Sequence, residues 1–83
     1  MNMKKAQKSY HYREDLLYMI NALKQVVHLK EEQQVLIVLQ LNTDEKIDRW
    51  FEWLKTKIIG ENEIDATATE IVRAAVHINQ GLI

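Results

Sequence analysis

Near the middle of this 83-residue chain, residues 35–41 read Val35-Leu36-Ile37-Val38-Leu39-Gln40-Leu41, apolar at every position but one. The run is short, rich in β-branched side chains and without helical spacing. Periodicity alone does not separate a buried strand from a buried helical turn, but length and β-branching together predict a strand. A lone strand has no partner within its own chain and would leave its backbone donors and acceptors unpaired, so it predicts self-association. Chain length points the same way, because so short a chain buries little of its surface and often becomes fully stable only as an oligomer.

Helical patterns surround this run. Leu16, Leu17, Met19, Ile20, Leu23, Val26 and Val27 recur at helical spacing, which predicts a helix over 9–29 with Ser9 as N-cap and Glu14 and Asp15 near its start. Asn42-Thr43-Asp44-Glu45 offers a capping box with Asn42 as the cap, ahead of an apolar stripe of Ile47, Trp50, Phe51, Leu54 and Ile58; the helix should span 43–59 and stop at Gly60. Residues 61–65 follow as a polar turn. A second box, Thr67-Ala68-Thr69-Glu70, opens a helix over 67–80, with Ile71, Val72, Ala75, Val76 and Ile78 on its apolar side and Gly81 at its end. With no proline and no Gly/Ser-rich stretch, residues 9–83 read as one domain behind a flexible basic arm, 1–8. The fold class expected is mainly α with one short strand.

Charge is unevenly spread. The first 13 residues carry Lys4, Lys5, Lys8 and Arg13 and no acid, which leaves the other 70 at −5 within a total of −1. An arm of this kind can meet phosphates or an acidic partner, although a solvated terminus is the commoner outcome. The absence of cysteine excludes disulfides and thiolate metal sites and suits a cytoplasmic protein. Residues 9–15 after the arm are polar, so no signal peptide is read, and the longest apolar run has five residues where a bilayer-spanning helix needs about 20.

No catalytic constellation assembles. His11, His28 and His77 lie far apart without carboxylates at metal-ligand spacing, and there is neither a Ser/His/Asp set nor a glycine-rich phosphate loop. No enzyme, cofactor or metal site is expected. Trp50, Phe51 and Trp53 fit a core or dimer interface better than a ligand site, and Tyr10, Tyr12 and Tyr18 are expected to pack on the core rather than stack on bases.

The order strand, capped helix, turn, capped helix, together with Thr67-Ala68-Thr69-Glu70-Ile71-Val72-Arg73-Ala74-Ala75-Val76, resembles the ribbon-helix-helix family of DNA-binding proteins over about residues 34–80. The second helix of that family opens with a Ser/Thr, any residue, Ser/Thr, Glu, aliphatic, aliphatic, Arg, any residue, Ala, aliphatic pattern, which this segment fills. The resemblance implies a homodimer in which two strands form an antiparallel ribbon in the DNA major groove above a shared helical core. It places Val35, Ile37, Leu39 and Leu41 in the dimer core with Ile47, Trp50, Phe51, Leu54, Ile71, Val72 and Ala75. Gln34, Leu36, Val38, Gln40 and Asn42 then face outward, with Gln40 as the main base reader, while Thr67, Ala68 and Thr69 anchor a phosphate and Lys4, Lys5 and Lys8 add charge. The helix over 9–29 is an addition to the minimal fold, left to cover the ribbon or dock a protein.

Two function classes follow. One is a sequence-specific duplex DNA binder: a small repressor, the DNA-binding part of an antitoxin, or a plasmid or phage accessory factor. The other is a dimeric helical interaction module or inhibitor that binds a protein and no DNA.

Overall fold

The structure, a computed structural model, describes residues 12–83. It is mainly helical: α1 (Tyr12–Leu23), α2 (Glu31–Gln40) and α3 (Asp44–Lys55) precede a short antiparallel hairpin of β1 (Ile58–Gly60) and β2 (Glu63–Ile64), and α4 (Ala68–Asn79) follows. The arm residues Lys4, Lys5 and Lys8, the Ser9 cap, Tyr10 and His11 lie outside the described residues.

The main correction concerns residues 35–41. They are not a strand: 35–40 lie within α2, and Leu41 caps it. A continuous apolar run carries no period, so it does not choose between strand and helix, and the flanks decide. Glu31 and Glu32 occupy the first turn, where the helix dipole favours acids, and Gln33 Oε1 accepts a hydrogen bond from the Lys30 N–H at 2.8 Å. A helix also satisfies its backbone within one chain, whereas a lone strand does not. At the far end Arg13 Nη1 donates to the Leu41 carbonyl at 2.8 Å, a cation at a helix C-terminus. Arg13 therefore joins the start of α1 to the end of α2, and the two helices run antiparallel.

Other boundaries move for local reasons. Helix α1 ends at Leu23 rather than at 29; the chain turns through three-residue contacts, with Gln25 N–H on the Ala22 carbonyl and Val26 N–H on the Leu23 carbonyl. The reversal brings Leu29 into the core, where Gln34 Nε2 holds its carbonyl at 2.9 Å. Thr43, not Asn42, caps α3, its hydroxyl accepting from the Lys46 N–H at 3.2 Å. Helix α3 stops at Lys55, not at Gly60: Thr56 Oγ1 donates to the Trp53 carbonyl at 2.6 Å, and Ile58 leaves the helical stripe to pair with Ile64. Gly60 lies within β1, where an added Cβ would meet Glu63 Oε1 at 2.9 Å.

Helix α4 forms as its sequence predicts. Thr67 Oγ1 accepts from the Glu70 N–H while Glu70 Oε1 accepts from the Thr67 N–H, which closes the capping box. At the other end Gly81, at φ +79°, allows the Gly81 N–H to reach the Ile78 carbonyl and the Leu82 N–H to reach the His77 carbonyl. This paired closure needs a left-handed residue, which glycine adopts without a Cβ clash.

The core is built by i, i+3 and i, i+4 faces: Leu16, Ile20 and Leu23 from α1, Ile37 and Leu41 from α2, Ile47, Trp50 and Leu54 from α3, and Ile71, Ala74, Ala75 and Ile78 from α4. Helix α4 packs on both α2 and α3, and α1 packs on α3. The Trp50 indole is fully buried and its N–H donates to the Ile71 carbonyl at 3.2 Å, so its one polar atom is satisfied inside. Phe51, Val72 and Tyr12 pack against this core from its edge, whereas Tyr18 points into solvent. Among the described residues no helix is long and apolar enough to cross a membrane.

Candidate functional site

On a strand Gln34, Leu36, Val38, Gln40 and Asn42 would share one face. On α2 each second residue turns by about 200°, so they scatter around the axis. Gln34 is spent on the Leu29 carbonyl, Val38 faces α1, and Leu36 faces a cleft that Val72 and Val76 line from α4. Gln40, the expected base reader, points inward: its Oε1 accepts from Asn79 Nδ2 at 2.7 Å. Asn79 Oδ1 in turn accepts from Lys46 Nζ at 2.6 Å, and the same ammonium donates to Asn42 Oδ1 at 2.9 Å. An ammonium only donates, which fixes the orientation of the Asn79 amide. The network ties the C-terminal ends of α2 and α4 to the start of α3.

A stability measurement separates such a lock from a solvent-facing reader. Gln40→Ala is expected to cost about 1 kcal/mol in chemical denaturation, and Asn79→Ala somewhat more because it severs both bonds. The double variant should cost less than the sum of the two singles, since both disrupt one bond. Unchanged stability in Gln40→Ala would show that the amide is free.

Of the expected phosphate anchor, Thr67 is already engaged. Thr67 spends its hydroxyl on the helix cap, and the carboxylate of Glu70 lies against the Thr67 N–H at the N-terminus of α4, where it would repel a phosphate. Thr69 is exposed and Ala68 is half-buried. All twelve acidic residues of the chain lie within 12–83, whereas Lys4, Lys5 and Lys8 do not. Among the described residues no three His, Asp or Glu side chains converge to hold a metal ion.

What the structure does assemble is apolar. The four residues assigned to one strand face divide by helical spacing: Ile37 and Leu41 are buried, while Val35 and Leu39, 51% and 65% exposed, stand together on the outside. Five consecutive apolar residues stepped by about 100° go right round the axis, so 35–39 cannot all reach one core, and the polar residues of α2 are confined to its first turn and to Gln40. Between α1 and α2 lies a groove of about 350 Å³ whose walls include Leu17, Ile20, Val35, Val38 and Leu39. Its rim carries Lys24, just past the end of α1, and Glu31 from the start of α2. No protein-family model, no curated protein and no solved structure matches this chain.

Sequence reasoning missed Leu17 as part of a surface and placed Val35 and Leu39 inside. The signal was present: once the Glu31-Glu32-Gln33-Gln34 stretch is taken as a helix start, the five apolar residues that follow cannot all face one core.

Proposed function

We propose that this protein is a helical interaction module that binds another protein surface through the outer face of α2 and its groove with α1. One observation carries the reading: Val35 and Leu39 are solvent-exposed on the wall that α2 gives to the groove, opposite the exposed Leu17 of α1. Covering such a patch is favourable at about 25 cal/mol per Å² of apolar surface, and a rim of one cation and one anion suits a docking face better than a charged ligand.

The chain has no cysteine, so a single introduced thiol takes a fluorophore uniquely. A label on Glu32→Cys, exposed and about two turns before Leu39 on the same side of α2, is expected to shift to the blue when the face is covered, by the pure protein itself or in an extract of its source cells. A label on Glu52→Cys, on the exposed side of α3, should not shift. Solvent-like emission from the Glu32 position under both conditions would end this reading.

Duplex DNA is the second reading, and Lys4, Lys5 and Lys8 support it. Salt-dependent binding of a duplex that leaves the Glu32 label unshifted would favour it over the first.

A further inference from the structure

We infer that the partner on the α1–α2 face is a second copy of this chain, docked about a two-fold axis that runs along the groove; the inference rests on the interaction-module reading. The charge pattern of the rim selects both the partner and the axis. Because α1 and α2 are antiparallel, Lys24 and Glu31 lie at one end of the groove, on opposite sides, and Leu17 and Leu39 lie toward the other. Neither Lys24 nor Glu31 has an ion-pair partner among the described residues. A strongly acidic or strongly basic partner would meet a like charge on one side. A second copy brings one of each.

A half-turn about an axis along the groove lays α1 of one copy over α2 of the other and keeps the ends in register. Lys24 then meets the partner's Glu31, and the contact occurs twice because the interface is isologous. The spacing agrees: Lys24 to Leu17 is about 10 Å along α1 and Glu31 to Leu39 about 12 Å along α2, at ~1.5 Å of rise per residue, so Leu17 falls opposite the partner's Leu39. A two-fold axis across the groove would instead press the Lys24 and Glu31 end onto the apolar end of the partner and strip water from unpaired charge. The parallel arrangement is thus the one that matches apolar with apolar and cation with anion.

The test uses the full chain in sedimentation velocity across a dilution series. The unmodified protein is expected to be a dimer that dissociates on dilution. Lys24→Glu and Glu31→Lys should each raise Kd roughly tenfold, because each replaces two attractive contacts with two like-charge contacts. An equimolar mixture of the two variants should form a heterodimer at least as tight as the unmodified dimer, which a Lys24 to Glu31 contact inside one chain would not produce. Leu39→Glu should be monomeric with its helical circular dichroism intact. A monomer at all concentrations overturns the inference, as does a dimer indifferent to Leu39→Glu and to mixing. The Glu32 label separates the two levels of failure: a monomer whose label shifts only in cell extract keeps the interaction module and loses the second copy, and a monomer whose label never shifts loses both.

Discussion

Trp50→Ala should unfold the domain or leave it barely folded. The indole is fully buried at the junction of α3 and α4, and its N–H is bonded to the Ile71 carbonyl. Truncating a buried tryptophan costs about 3 to 5 kcal/mol, from lost burial and from the cavity left behind. A domain of this size is stabilised by on the order of 5 kcal/mol in total. Urea titration followed by circular dichroism should show the variant losing its cooperative transition, whereas Trp50→Phe, which keeps most of the packing, should retain one at a lower midpoint. A near-normal midpoint for Trp50→Ala would mean that the centre of the core has been misplaced.

The second large effect distinguishes helix from strand at 35–41 directly. Ile37 is fully buried and Leu39 is mostly exposed, although a strand would put both on one face. Ile37→Asp buries a charge with no partner and is expected to cost more than about 4 kcal/mol, enough to abolish folding. Leu39→Asp should cost roughly 0.5 kcal/mol in helix propensity and keep the helical spectrum. Measured at high dilution, where association does not contribute, equal damage from the two substitutions would restore the strand.

The contrast between these two residues also shows what the sequence could and could not convey. The capping box at Thr67 and Glu70 was legible because its two hydrogen bonds join residues three apart, and so was the closure at Gly81, whose positive φ admits few other residues. The stripe Ile47, Trp50, Leu54 was legible for the same reason, being an uninterrupted helical period. Residues 35–39 were not: when every position is apolar the burial pattern vanishes, and β-branching then outweighed the helix-favouring acids just upstream. The hairpin was hidden differently. Ile58 extends the spacing of the α3 stripe, although the helix has already closed through the Thr56 to Trp53 and Lys57 to Leu54 contacts. For the candidate site, the individual residues were visible but their grouping was not. Gln40 looked like a reader because its bond to Asn79 spans 39 positions, beyond what local spacing encodes.

The central position of α4 has a consequence for how the protein is made. Its buried face supplies neighbours to both α2 and α3, and its Ile71 carbonyl supplies the hydrogen-bond acceptor of Trp50. A nascent chain that has emerged only through the hairpin can pack α1 on α3 but lacks the face that joins α2 to α3. Trp50 and Ile37 are then open to water and to other chains. Folding should therefore be a single cooperative event triggered by the emergence of residues 68–79, with long-range contacts formed late and few stable intermediates before them. Until that moment the nascent chain is most exposed to aggregation and to chaperones.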